Sequence, residues 1–589
     1  MKVTRVLFSC ILTLFALNGY SVPVIYINQV GFNSRDAKIA VISADAPLPK
    51  NTRFTLINTQ SLKTEYAGYI GVAEQINEWM PGKLLYQAKF SAFTKPGTYK
   101  LEVIINRITY SSDEFLIGEH LLGKLTIPAI LHYYRKQRAN TPQELAADSK
   151  VQLYGSTQTV DLRGGWCDAS GDVSKYFSHL AYANFMSPQQ IPLVTWSLVN
   201  TTETVPKLLI KCGVKDSITD EALWGADYLM RSLSKEGYFY MTVFSYFNKD
   251  PNARRVVGLH ANSVTTTEYQ SAFREGGGMA IAALARISGW KKNGSFTSGQ
   301  YLDAAKGAFA HLLVNNLKYD DDGKENIIDD YCALMAATEL WIRTDSSLYR
   351  EEARKRAHNL TSRITVRGYF RADDANRPFW HASDAGLPVI ALCRYLKKEV
   401  DPLYRDTALL TIKKALDYNL HVTNEVDNPF GYARQSFSFK GKVKNGFFIP
   451  HENETGWWWQ GENARLASLA TAAIVGGRLI YPNGNNSKAI DSLNTFAARQ
   501  LSWILGCNPY AMCFMYQFGK NNVPYMHSNF GHGSEKGGIS NGITGKDGNA
   551  DGSGIDFKTN AEGNEWRWTE QWIPHAAWFL QAITALSQQ

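Results

Sequence analysis

No two of the seven cysteines stand in a CxxC spacing, and none sits in a Cys/His cluster of zinc type, so a zinc ribbon or a dithiol redox centre is excluded. The chain also lacks a Gly-rich phosphate loop, an HExxH pair and a Ser-nucleophile motif. That removes nucleotide-dependent, zinc-protease and serine-hydrolase chemistry. No basic block or basic stretch interleaved with aromatics is present, and the net charge of +8 is spread along the chain. Nucleic acid is therefore not an expected partner. Past the first 21 residues no apolar run is long enough for a bilayer, so no membrane span is expected. No fixed-period repeat is visible, which argues against a solenoid.

Several features are abundant. Aromatic residues make up 12% of the chain, with 15 Trp and 30 Tyr, and sugar-binding clefts use such flat faces. Residues 1–21 have the form of a secretory signal: Lys2 and Arg5, an apolar run over 6–17, then the small residues Gly19 and Ser21. The expected location is periplasmic or secreted. The length of 589 residues calls for more than one core.

The pattern divides the chain in two. Across residues 22–118, short runs rich in β-branched and aromatic residues (24–27, 38–42, 54–57, 84–90, 98–104) are separated by Gly/Pro turns. This spacing predicts an immunoglobulin-like β-sandwich. Across 119–589 the period becomes helical, with helices expected at 127–137, 217–234, 276–287, 300–316, 331–343, 385–397, 401–419, 465–480, 492–505 and 574–586. Strand signals are few there. About a dozen helices fit an all-α (α/α)6 barrel, with a site built on its loops. Cys332 and Cys393 fall in apolar helical runs and read as small buried hydrophobes.

Three segments carry chemistry. In GGWCDASGDVSKY (164–176), Asp168 and Asp172 stand four apart in a Gly-flanked turn. Cleavage of a glycosidic bond with inversion needs a carboxylate to activate water and a separate carboxylic acid to protonate the leaving oxygen. Alone, this spacing equally describes a polar loop with a helix-capping Asp. In EWRWTEQWIPH (565–575), Glu570 lies among three Trp, and apolar surroundings keep a carboxyl protonated, as a general acid requires. The alternative there is a Glu placed for a helix N-terminus. In GWWWQGENAR (456–465), three consecutive Trp cannot all face one core, so Trp458 and Trp459 are assigned to a cleft together with Glu462, although Glu462 could simply pair with Arg465. Tyr269 is a further candidate sugar contact. The run 547–552 has the start of a calcium loop, but position twelve is Lys558, so a Gly/Asp-rich turn is expected.

These segments, with VIYINQVGF at 24–32, WWWQGENARLASLA at 457–470 and the LGCNP at 505–509, resemble glycoside hydrolase family 9 with its N-terminal immunoglobulin-like domain. The likeness spans nearly the whole chain after residue 21. It implies the (α/α)6 barrel, Asp172 as catalytic base, Asp168 as its partner in holding the water, Glu570 as general acid with Glu565 as the runner-up, and His527 as a sugar contact. It implies no required cofactor and allows a structural calcium. Three departures stand out: DASGD is one residue longer than the usual motif, the usual His-His-Arg is Met526-His527-Ser528, and the acid is followed by Pro574-His575-Ala576-Ala577. This pattern is most similar to the exo-β-D-glucosaminidase branch acting on chitosan oligosaccharides. A cationic sugar calls for a carboxylate at its amine, and Asp148, in the segment before the motif, is assigned that contact, the alternative being a solvated loop acid. The alternatives are an endo-β-1,4-glucanase or β-glucosidase acting on β-glucans or cello-oligosaccharides, and a non-catalytic carbohydrate-binding protein.

Overall fold

Alternation along the chain builds the first domain. In the strand Gly97–Ile105, Tyr99, Leu101, Val103 and Ile105 point inward while Lys100, Glu102 and Ile104 face out. The computed structural model describes residues 22–179, 186–248, 250–260, 263–482, 486–527, 531–559 and 565–588, so the signal-like segment 1–21 lies outside the described residues. The first strands are β1 (Ile25–Tyr26), β2 (Gly31–Asn33), β3 (Ile39–Ala44), β4 (Arg53–Asn58), β5 (Thr64–Glu74), β6 (Leu84–Lys89), β7 (Gly97–Ile105), β8 (Ile108–Ser111) and β9 (Phe115–Gly118). They pair in the order β1-β3-β6-β5-β4-β7-β9-β2, with β8 beside β7. The long β5 pairs with β4 on one side and β6 on the other. Its register against β6 breaks between Ile70 and Ala73, which lets the two halves of the sheet enclose a core of Ile42, Phe54, Leu56, Tyr99 and Phe115.

After β9 the chain becomes helical at α1 (Leu121–Gln137) and α2 (Pro142–Asp148). A second sheet then departs from the sequence expectation of few strands. Its members are β10 (Val151–Leu153), β11 (Thr159–Val160), β12 (Lys175–Tyr176), β13 (Thr242–Phe244), β14 (Arg255–His260) and β15 (Val264–Thr266). These strands are two to six residues long, too short for a period to register in the sequence. The sheet ties the 164–176 motif to the segments around residues 245 and 254, because β12 pairs with β13 and β13 with β14.

The remaining helices are α3 (Ile191–Thr204), α4 (Pro206–Lys211), α5 (Lys215–Arg231), α6 (Gly278–Ile287), α7 (Ser298–Tyr319), α8 (Ile327–Thr344), α9 (Ser347–Ser362), α10 (Leu387–Tyr395), α11 (Pro402–Asn424), α12 (Asn463–Ile480), α13 (Ser487–Ile504), α14 (Trp566–Thr569) and α15 (Ile573–Ser587). Among the described residues, α3, α6, α8, α10, α12 and α15 pack in a closed ring, each against the next and α15 back onto α3. Outer partners lie against them: α5 on α3, α7 on α6, α9 on α8, α11 and α13 on α12, and α1 on α15. The inner helices are apolar nearly all round. Every residue of α6 and of α15 is buried, as a helix covered on both sides requires. Cys332 on α8 and Cys393 on α10 are buried thiols, and the six described cysteines are all unpaired. No helix among the described residues is long and apolar enough to cross a membrane.

The two domains share apolar surface. Trp79 of the first packs its ring 4.5 Å from Phe447 and 5.6 Å from Trp503 of the second. Gln29 N–H donates to the carbonyl of Leu505 at 2.9 Å.

Candidate active site

Two chain segments some 400 residues apart meet at one end of the helical ring. Ala169 and Trp572 form an antiparallel bridge. Around it, Ser170 N–H donates to the carbonyl of Gln571 (2.8 Å), Gln571 N–H donates to Ser170 Oγ (2.8 Å), and Ile573 N–H donates to the carbonyl of Asp168 (3.1 Å). Ser170 lies within the DASGD motif, so this motif itself joins the Asp-bearing loop to the Glu-bearing one. The backbone turns at Gly171, where φ is +85° and a Cβ would lie 3.0 Å from the carbonyl oxygen of His527.

The result is a cavity of about 560 Å³ lined by Asp168, Asp172 and Glu570, the aromatic rings of Trp458, Trp566, Trp572 and Phe247, and Gln460, His179 and Met526. That size and mix suit a small polar ligand with flat apolar faces. Asp172 Oδ1 accepts from Ser174 N–H (2.9 Å) and Ser245 Oγ–H (3.3 Å). Asp168 Oδ1 accepts from the indole N–H of Trp572 (2.8 Å). Burial, and then the charges of Asp172 and Glu570, push the Asp168 carboxyl well above its usual range. Glu570 is fixed through its backbone, its carbonyl accepting from Asn541 N–H at 2.8 Å. His179 lies between the rings of Tyr176 (4.8 Å) and Trp572 (6.4 Å), and burial lowers its pKa to about 4 despite the nearby Asp172. It is neutral at ordinary pH.

The other sequence candidates are placed as follows. Trp458 is buried and lines the cavity. Trp459 does not line it: the Arg567 guanidinium stacks on its ring at 4.2 Å. Trp457 is 48% exposed, so the three Trp do face three environments. Glu462 is not a cleft residue. It is buried at the N-terminus of α12, paired with Arg465, and accepts from Ile449 N–H at 2.7 Å. Asp148 does not reach the cavity either. It is fully buried, bound to Lys175 Nζ (2.7 Å) and Arg254 Nη1 (2.8 Å), so its charge is already matched by two cations. Tyr269 is half-buried against Tyr240 at 5.9 Å and lies outside the lining. His527 is exposed, 5.7 Å from the ring of Tyr525, next to the lining residue Met526. In the calcium-like turn, Lys558 pairs with Asp547 and Asp556, so an ammonium occupies the acidic face. Gln460 and Trp566 lie inside the GWWWQGENAR and EWRWTEQWIPH segments without having been singled out there, whereas His179 and Phe247 belong to no motif and are marked only by their place in the lining.

One cluster has the composition of a metal site: Glu144, Cys167 and His532, all buried, with donor atoms within 4.8 Å of one another. Its geometry does not fit a metal. His532 Nε2 is 2.7 Å from Glu144 Oε1, closer than roughly 3.3 Å for two ligands on one tetrahedral zinc with bonds of about 2 Å. His532 Nδ1 is 2.9 Å from the carbonyl of Lys136. Both ring nitrogens thus face acceptors and carry protons, and an imidazolium has no lone pair to give.

Residues 126–555 match the model of glycosyl hydrolase family 9, and residues 21–106 match the cellulase N-terminal ig-like domain. The chain belongs to glycosyl hydrolase family 9. It is an inverting glycoside hydrolase with an N-terminal immunoglobulin-like β domain and a helical family 9 domain. Glu570 lies beyond the matched stretch, so its place at the site rests on the geometry above. Among solved structures the family 9 chain is similar to a metagenome-derived family 9 endoglucanase, with 17% identity, a TM-score of 0.68, and coverage of 96% of this chain and 99% of that one. It is also similar to a family 9 protein of Bacteroides ovatus (18%, 0.64, with 96% and 99% covered) and to an endoglucanase of the termite Nasutitermes takasagoensis (16%, 0.51, with 79% and 98% covered). At these identities the likeness is one of fold. No curated protein sequence matches the chain.

Proposed function

We propose that the protein hydrolyses β-1,4-linked glucans as an endoglucanase, with Asp172 as base, Asp168 as its partner in holding the water and Glu570 as acid. The observation that carries this reading is the Ala169–Trp572 bridge, which draws the three carboxyls onto one aromatic-walled cavity. Asp172, fixed at Oδ1 by Ser174 and Ser245, takes a proton from water as that water attacks the anomeric carbon. Glu570 delivers its proton to the departing glycosidic oxygen. Asp168, buried and inclined to keep its proton, orients the water from the second side. We read the closed helical ring as an (α/α)6 barrel whose loops form this end. The sequence of residues 1–21 supports export to the periplasm or the medium.

The neutral-sugar reading is preferred to the exo-β-D-glucosaminidase one for a physical reason. A glucosaminium in the cavity calls for a carboxylate apart from the catalytic trio. Among the described lining residues the trio supplies all the acidic groups, and Asp148 is committed elsewhere. The endoglucanase names of similar structures agree with this choice. The test is to follow carboxymethylcellulose viscosity against reducing ends, with cello-oligosaccharides and chitosan oligosaccharides assayed by chromatography. Viscosity should collapse before many ends appear. Release of glucosamine monomer alone, with carboxymethylcellulose untouched, would overturn the glucan assignment.

A further inference from the structure

The metal-like cluster is held by a residue that sequence reasoning did not single out. Arg254 stands just before β14 and is 2% exposed. Its Nε–H donates to the carbonyl of Val173 at 2.7 Å, and Nη2–H lies 3.6 Å from Cys167 Sγ and 3.3 Å from Glu144 Oε1. Val173 directly follows Asp172, and Cys167 directly precedes Asp168. One rigid guanidinium therefore grips both ends of the loop that carries the two aspartates. Its Nη1 is anchored by Asp148 Oδ1 at 2.8 Å. The loop is braced again by Lys175, whose ammonium donates to Asp148 and to the carbonyls of Leu162 and Gly164, and by the carbonyl of His532, which accepts from Gly171 N–H at 2.7 Å.

We propose that Arg254 is a positioning residue for Asp168 and Asp172, and that its guanidinium, together with the His532 imidazolium 2.7 Å from Glu144, supplies the buried positive charge which a metal would otherwise bring to Glu144 and Cys167. Three features of the residue suit the task. Its planar fork can bind a carbonyl, a thiol and two carboxylates at once, which a lysine ammonium on a flexible stem cannot. Its charge is permanent. Burial with paired carboxylates makes the interaction costly to break from one side. Glu144 Oε2 is in turn held by the Thr141 cap (3.1 and 2.9 Å), so the brace runs from the start of α2 to the catalytic loop. The proposal rests on the catalytic reading of the two aspartates, but its metal arm does not.

The test has two arms. In the first, wild-type protein is incubated with zinc, exchanged into metal-free buffer and assayed for zinc by mass spectrometry. Only trace zinc is expected, and one retained zinc per chain would overturn the proposal whatever the substrate proves to be. In the second, Arg254→Lys and Arg254→Ala are assayed on the substrate that the wild type cleaves. The Lys variant keeps the charge and loses the fork. Its kcat should fall about 100-fold, the cost of a misplacement of about 1 Å, with KM nearly unchanged. Added guanidinium ion should restore part of the kcat lost in Arg254→Ala. A purely structural arginine would lower thermal stability and leave kcat per folded molecule intact. Wild-type kcat in folded Arg254→Lys overturns the positioning role, and if Arg254→Ala does not fold, that variant decides alone. Absence of wild-type activity on every glycan would instead count against the proposed function.

Discussion

At the scale of single residues, the chemistry turns on which carboxyl holds which proton. Asp172→Asn removes the proposed base, and Glu570→Gln the proposed acid. Each should lower kcat about a thousandfold with little change in KM, measured as initial rates on cello-oligosaccharides. Trp458→Ala should act differently, raising KM about tenfold, equivalent to about 1.4 kcal/mol of binding, because it removes a wall of the cavity and no reacting group. His575 offers a pH test. It is fully buried on α15, its Nε2 2.7 Å from Asn541 Oδ1, and burial depresses its pKa to about 3. The unfolded chain takes up that proton near pH 6.5, whereas the folded one waits until about pH 3. The His575 contribution is thus complete above about pH 6.5 and is lost progressively as pH falls toward 3. Between about pH 7 and pH 5 it should weaken the wild type by about 2 kcal/mol, and His575→Gln should show a correspondingly flatter fall in melting temperature.

At the scale of elements, the DASGD loop is where sequence and structure meet. That Asp168, Asp172 and Glu570 belong to one cavity was legible because their motifs are short, local and rich in Gly and Trp. The sandwich strands and most long helices were legible from their periods. Helix α9 was not, since SLYREEARKRAHNLTS is mostly polar and gives no apolar stripe. Asp148 and Glu462 were misplaced for another reason. An acid in a motif-rich region looks available in sequence, yet Asp148 is neutralised by Arg254, 106 residues away, and Glu462 by Arg465 next to it. Pairings of the first kind are invisible without the fold. His179 and Phe247 likewise acquire meaning only when the second sheet and the Ala169–Trp572 bridge gather them. The loop also depends on its backbone. Gly171→Ala should cost about 1–3 kcal/mol in stability, because φ is +85° and the new Cβ would press on the His527 carbonyl at 3.0 Å, and it should lower kcat more than KM rises.

At the scale of the whole molecule, the first domain is more than an appendage. Trp79 inserts among Phe430, Tyr432, Phe447 and Trp503 of the helical domain. Trp79→Ala should cost about 3–5 kcal/mol, read as a lowered midpoint in denaturant, with kcat per folded molecule unchanged because the cavity is formed without it. The helical ring supplies a rigid end on which distant loops bring the three carboxyls to one cavity. That arrangement makes stereochemistry the most direct readout of the site. Proton NMR of the first product released from a cello-oligosaccharide, recorded before mutarotation, should show the α-anomer accumulating first; a β-anomer appearing first would contradict the roles given to Asp172 and Glu570.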